Sequence, residues 1–285
     1  MLSTGFMHFN AQAKGIIKVK NTLKIKYLLN SSYWLIPMIA SLMLGCMAKF
    51  DADYSAEQIT KESAEFMLSF DDGPLPYATE RVLDMLATIR AIDGTPVKAG
   101  FFLLADAPDN FWQRRIYYAP YELWIDKGSI AKYPEIALRI QQSGHIIGNH
   151  TTHHAWFRWP WLDTPEAVLA EFSEWEATSE RVLGASNIRL FRPPYLILNT
   201  NISKTAKQLG YKIVMGEPVG DAIPGITVNG IIEKAQSILA TWSKPYPCLL
   251  VFHDIRPTTY EHLDQIIVNL QQQGFRLVHF DPERL

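Results

Sequence analysis

Phe66-Met67-Leu68-Ser69-Phe70-Asp71-Asp72-Gly73-Pro74 is a short apolar run that ends on two carboxylates and a Gly-Pro turn. A run of this length, rich in aromatic and aliphatic residues and closed by a turn signal, reads as a buried strand. Two adjacent carboxylates at a strand end repel one another, and a metal ion or an arginine nearby relieves that cost. Taken alone, Asp-Asp-Gly-Pro reads first as an acidic turn that caps the next helix.

The same rhythm continues outward from this stretch. Further apolar runs lie at Ala99–Leu104, His145–Gly148, Ile188–Phe191, Tyr211–Met215, Cys248–His253 and Phe275–Phe280, which makes about seven strands. Segments of helical period separate them. Val82, Leu83, Leu86 and Ile89 form one stripe, and Leu263, Ile266, Ile267 and Leu270 form another, with Gly274 placed to end that helix. Strands alternating with helices predict an α/β fold with a mostly parallel sheet, either a barrel or a doubly wound sheet. One segment breaks the rhythm. Residues 105–132 carry Phe111, Trp112, Tyr117, Tyr118, Tyr121 and Trp124. A long aromatic connection of this kind is either a surface excursion packed by its own rings or a cover over a substrate.

The chain has 285 residues, 48% of them hydrophobic and 20% charged, an ordinary globular balance that excludes a disordered, collagen-like or multi-span membrane chain. Residues 1–50 hold six lysines and no acidic residue, so the remainder carries 21 basic and 29 acidic residues, a net of −8. A body of that sign is a poor partner for nucleic acid, whose binding runs on phosphate neutralisation. Two cysteines make no disulfide framework, and Cys248 reads as a buried core thiol.

Residues 1–46 read as an export segment. Lys14, Lys18, Lys20, Lys24 and Lys26 precede an apolar run from Tyr33 to Gly45 that is shorter than the roughly 20 residues that span a bilayer comfortably. Its end, Leu42-Met43-Leu44-Gly45-Cys46, resembles a bacterial lipobox, although Leu44 is bulkier than the usual residue there. A plain cleaved signal and an uncleaved anchor are the alternatives. Residues 47–62 are polar and read as a tether, leaving 63–285 as the folded body. The expected location is the bacterial cell envelope, membrane-anchored through this segment or through a lipid on Cys46, or else periplasmic or secreted.

The chemistry gathers just after the strands, where α/β barrels carry their active sites. Asp71 and Asp72 follow the first strand. His150 and His154 follow the third, four residues apart, a spacing that lets both imidazoles reach one metal ion. Four of the eight histidines fall between 145 and 154. Thr151 stands where a His-Glu-x-x-His protease would carry its glutamate, so that motif is excluded. Arg192-Pro193-Pro194-Tyr195 is a stiff turn that holds an arginine and an exposed backbone N–H. His253-Asp254 closes another strand, and a histidine there suits proton donation near neutral pH.

Together these segments resemble the polysaccharide deacetylases, the NodB homology family or carbohydrate esterase family four. Ser69-Phe70-Asp71-Asp72-Gly73, His150-Thr151-Thr152-His153-His154, Arg192-Pro193-Pro194-Tyr195 and Val251-Phe252-His253-Asp254 match four of its motifs in order. The resemblance runs from about residue 63 to 280 and implies a distorted (β/α) barrel of about seven parallel strands. It also implies Asp71 as general base and Asp72, His150 and His154 as ligands of zinc or another divalent ion such as cobalt or nickel. Arg192 would hold Asp71, and the Pro194-Tyr195 turn would offer its backbone N–H to the oxyanion. His253 would be the general acid. The implied reaction is metal-dependent hydrolysis of N-acetyl groups on an N-acetylglucosamine polysaccharide of peptidoglycan, exopolysaccharide or chitin type.

The fourth motif departs from the family. The usual Asp-Trp pair is replaced by Gly220-Asp221-Ala222, so Asp221 is the candidate that tunes His253, and the tryptophan is missing. Val251 stands where the family often has leucine. Trp112 and Trp124 are candidates for stacking on sugar rings. Two rival readings are an O-acetyl xylan or glycan esterase using the same site, and a non-catalytic glycan-binding lipoprotein.

Overall fold

All strand pairings in the computed structural model, which describes residues 64–185 and 189–285, are parallel except one isolated bridge between Arg90 and Pro96. The eight strands among the described residues are β1 (Glu65–Asp71), β2 (Gly100–Leu103), β3 (Ile146–Asn149), β4 (Leu190–Phe191), β5 (Lys212–Ile213), β6 (Glu217–Pro218), β7 (Cys248–His253) and β8 (Arg276–Leu277). They lie in the order β5-β4-β3-β2-β1-β7-β6, and β8 pairs with the start of β1. β5 and β6, consecutive in sequence, sit at opposite ends of that order and are not paired among the described residues. The result is a curled, open (β/α) barrel of the kind expected from the sequence.

All seven expected strands form, several of them shorter than their apolar runs. The eighth, β6, went unseen because it is two residues long and contains Pro218. Proline donates no ladder hydrogen bond, and an edge strand tolerates that. Ile188, the start of another expected strand, lies outside the described residues, as do the export segment 1–46, Cys46 and the tether 47–62. Among the described residues no helix is long and apolar enough to cross a membrane.

β1 is buried on both faces, which explains its continuous apolar run. Phe66, Leu68 and Phe70 point to one side and pack with Phe101, Leu250 and Phe252. That cluster also takes Val82, Leu83 and Leu86 from α1 (Ala78–Thr88) and Ile266, Ile267 and Leu270 from the helix Leu263–Gln272. Met67 points to the other side, where Phe102, Leu190, Val214, Leu249, Val278 and Phe280 fill the barrel. Period-two alternation thus divides one strand between two cores. A third cluster, around Phe172, Phe191 and Ile202, lies under the helices Pro165–Leu183 and Thr200–Gln208. Cys248 is a buried free thiol.

Residues 105–132 are not a bare loop. They hold α2 (Phe111–Tyr117), capped by Asn110 Oδ1 accepting from the amides of Trp112 and Gln113, and a 3-10 turn at Pro120–Glu122. Both ends are laced into the body. The Ala105 and Asp106 amides donate to Thr151 and Thr152, and the Ile130 and Ala131 amides donate to Leu104 and Ala105. Gly128 then crosses the Asp71–Pro74 turn, its amide donating to the Asp72 carbonyl at 3.2 Å. A Cβ at residue 128 would sit 1.6 Å from the Pro74 carbonyl oxygen, so only glycine permits that crossing.

Candidate active site

Sheet register assembles the site. Asp71 lies level with His253 across the β1–β7 pair, and Asn149 lies level with Phe191 across β3–β4. Parallel pairing therefore delivers Asp71-Asp72, His150, Arg192 and His253 to one end of the barrel. Asp72, Thr151, His154 and Tyr195 have positive φ angles of 78°, 72°, 59° and 60°. Left-handed backbone at non-glycine residues costs energy, and here it clusters on the loops that carry the expected chemistry.

Asp72, His150 and His154 each offer one ligand atom, and these three atoms all lie within 4.8 Å of one another. All three residues are buried. Asp72 Oδ1 is 3.5 Å from His150 Nε2 and 3.1 Å from His154 Nε2, yet it makes no hydrogen bond. His150 Nδ1 lies 2.8 Å from the Arg192 carbonyl oxygen, an acceptor that keeps the proton on Nδ1 and the lone pair on Nε2. One carboxylate and two imidazoles converging around an orphaned buried oxygen suit a divalent transition ion. Burial raises the Asp72 carboxyl, but Lys127 and His154 override it and hold it well below the usual carboxylate range. Burial and Lys127 lower the His154 imidazole against the opposing pull of Asp72 and Glu122.

The second carboxylate is held differently. Arg192 is fully buried. Its Nη1 donates to Asp71 Oδ1 at 2.7 Å and to Ser69 Oγ at 2.9 Å, and its Nε donates to the Val214 carbonyl at 3.1 Å. The guanidinium also lies over the Phe102 ring, 4.0 Å from its centre. Adjacent aspartates thus have separate partners, which removes the repulsion read from the sequence.

Asp221 lies against His253. Its Oδ1 is 2.8 Å from His253 Nδ1, and its Oδ2 accepts from the His253 amide and from Thr259 Oγ1, both at 2.7 Å. Burial lowers the His253 imidazole, but Asp221 overrides it, with Asp72 and Asp71 adding to the effect, and pushes it up to about 9. Asp254 is pushed up to about 7 by burial, and its Oδ2 accepts from Thr79 Oγ1 at 2.6 Å. Pro194 is buried, while the Tyr195 hydroxyl accepts from the Ala119 amide at 2.9 Å and ties the Arg-Pro-Pro-Tyr turn to the 105–132 segment. Val251 is buried with its Cγ2 against Gly216.

Trp112 and Trp124 sit apart from this cluster. They are 72% and 80% exposed and gather around Phe111 on the surface of the segment. The aromatic residues of the segment that meet the site are Tyr118, buried and edge-on to His154 with ring centres 5.7 Å apart, and Tyr121, whose ring centre is 6.0 Å from that of Tyr195. The sequence reading missed Glu122 and Lys127. Lys127 is buried and forms an ion pair with Asp72 Oδ2, and its Nζ is 3.2 Å from Glu122 Oε2. Nothing in the aromatic run marks either residue, because only the fold of the segment brings them to the site.

Comparison with known proteins agrees with this architecture. The polysaccharide deacetylase family model matches residues 58–214. The chain is 26% identical over 234 residues to the peptidoglycan-N-acetylglucosamine deacetylase of Bacillus cereus, covering 79% of this chain and 90% of that protein. It is 28% identical over 234 residues to the chitooligosaccharide deacetylase of Azorhizobium caulinodans, covering 78% and 95%. A solved peptidoglycan N-acetylglucosamine deacetylase, in complex with 4-naphthalen-1-yl-N-oxidanyl-benzamide, is similar with a TM-score of 0.58 at 25% identity, covering 78% and 88%. Motif order, barrel and family match converge: the chain is a hydrolase that belongs to the polysaccharide deacetylase family.

Proposed function

We propose that the protein is a divalent-metal-dependent N-deacetylase acting on N-acetylglucosamine-containing polysaccharide of the cell envelope. The observation that carries this reading is the buried Asp72–His150–His154 trio beside two separately held proton-transfer groups, Asp71 with Arg192 and His253 with Asp221. The names of the relatives, which act on peptidoglycan and chitooligosaccharide, support the substrate class. Asp72, His150 and His154 would hold the ion, with zinc as the first choice for this donor set and cobalt or nickel as substitutes. When bound, such an ion polarises the acetyl carbonyl and lowers the pKa of a coordinated water.

The remaining work falls to the chain's own side chains. Asp71, held in place by the Arg192 guanidinium, takes the proton from the attacking water. The Tyr195 amide donates to the developing oxyanion, on a turn stiffened by Pro194. The C–N bond breaks as His253 gives its proton to the leaving amine, so the products are acetate and a free amino sugar. Export through residues 1–46, with or without a lipid on Cys46, would place the enzyme beside its polymer.

The test is acetate release by the full chain from N-acetylglucosamine oligomers and peptidoglycan, with zinc and with a chelator. Metal-dependent release supports the reading. Release from acetylated xylan alone would replace it with the ester-cleaving alternative, and metal binding without any release would favour glycan binding.

The acid role has a pH signature. His253 must be protonated, so activity falls as pH rises through its pKa of about 9. Asp221→Asn removes the charge that lifts this imidazole. The alkaline limb of kcat/KM should then move down toward or below the ordinary imidazole value of about 6.5. A limb that stays put in the variant would exclude His253 as the acid.

The exposed Trp112 and Trp124 are proposed to stack on sugar rings remote from the cleaved bond. Replacing both by alanine should raise KM several-fold for long oligomers and leave a dimer unaffected. Equal effects on both substrates would overturn that role.

A further inference from the structure

His150 and His154 differ in what faces their second ring nitrogen. His150 Nδ1 meets the Arg192 carbonyl oxygen at 2.8 Å. His154 Nδ1 is buried and has no hydrogen-bond partner among the described residues. Glu122 Oε2 is likewise buried, ion-paired to Lys127 Nζ at 3.2 Å, and lies 3.5 Å from His154 Nδ1. When Nε2 is committed as a ligand, Nδ1 must carry the proton, and a buried N–H needs an acceptor. Glu122 is the carboxylate aimed at it.

We propose that Glu122, supplied by the 105–132 segment, is a positioning residue for the metal site, fixing the tautomer and ring orientation of His154. This rests on the metal-site reading above. A carboxylate behind a ligating imidazole raises its basicity and orients the ring. Glu122 is itself held in place. Lys127 Nζ lies 3.2 Å from its Oε2, and Arg256 Nη2, from the loop after β7, lies 4.0 Å from its Oε1. Lys127 also pairs with Asp72 Oδ2, which leaves Oδ1 facing the imidazoles. One inserted segment therefore braces two members of the trio, and no motif of the sequence announces it.

The test measures metal affinity rather than turnover. The full chain, stripped of metal, is titrated with Zn2+ and Co2+ against a chromophoric chelator. The parent is compared with Glu122→Gln, Glu122→Asp and Ile116→Ala, the last an exposed change on the same segment, and Asp72→Ala identifies the site. Glu122→Gln should weaken binding about 10–100-fold. Its visible Co2+ spectrum should also change, while its metal-free melting temperature stays near that of the parent. Glu122→Asp, which keeps a charge for Lys127, should fall between Gln and parent. Ile116→Ala should match the parent, which separates loss of the carboxylate from loosening of the segment. If the Gln variant does not fold, the Asp variant decides. Affinity within about twofold of the parent, or an equal loss in Ile116→Ala, overturns the proposal. A parent with no Asp72-dependent metal binding defeats the metal-site reading itself, and is recognisable as that.

Discussion

Asp71→Asn is expected to lower metal-dependent acetate release by about 10²–10⁴-fold, the range that a positioned general base contributes. The asparagine side chain keeps an oxygen for Arg192 Nη1 but no longer takes a proton. Metal affinity should remain close to that of the parent, because the trio uses Asp72 rather than Asp71. That contrast is the informative part. Two neighbouring aspartates should give two different losses, turnover alone from Asp71 and metal binding from Asp72. If Asp71→Asn retains near-parental turnover, Asp71 is not the base. If it loses metal as well, the division of labour between the two carboxylates fails.

Arg192→Met should have the largest effect on stability. Its guanidinium is fully buried and pairs with an equally buried Asp71. Removing one member of a buried pair strands the other charge, at a cost of about 3–5 kcal/mol. In a folded body of this size that corresponds to a fall in Tm of about 6–20 °C. The thermal melt should be run on metal-free protein, so that weaker ligand binding does not contribute. Adding Asp71→Asn to Arg192→Met should recover part of the loss, because the stranded charge is then gone. A single-variant melt within 2 °C of the parent, on the order of instrument error against that expectation, would show that the pair carries little of the stability. Arg192→Lys keeps the charge but loses the fork that reaches Ser69, Asp71 and Val214 together, so it should not restore the parent.

What was legible in the sequence was what lies next to a strand end. Asp71-Asp72, His150, Arg192 and His253 each close a strand or follow it within one residue, and parallel register then carries them to one place, with His154 further along the loop that His150 begins. A short motif suffices because the fold does the assembling. Asp221 was legible only by resemblance, since Gly220-Asp221-Ala222 has no apolar signature of its own. Its partner Thr259 was not seen at all. β6 escaped because two residues with a proline show no periodicity. Glu122 and Lys127 escaped for a deeper reason. They lie 50 and 55 residues from Asp72, in a stretch whose visible feature was its aromatic rings. The exposed tryptophans drew the eye, while the residues that reach the trio are charged and hidden within the same segment.

The way residues 105–132 are fastened bears on how such enzymes can be re-engineered. Gly128 is threaded over the Asp71–Pro74 turn, Lys127 is locked to Asp72, and Ala119 is pinned by the Tyr195 hydroxyl. A gate has one free edge, and this segment is tied along its length. It is better regarded as masonry than as a door. Grafting it onto a relative in order to exchange glycan preference would carry along part of the foundation of the catalytic loop. Trimming it to widen the cleft would leave Asp72 without its lysine and Tyr195 without its anchor. A library that varies the outer aromatic residues should therefore leave positions 119, 122, 127 and 128 untouched.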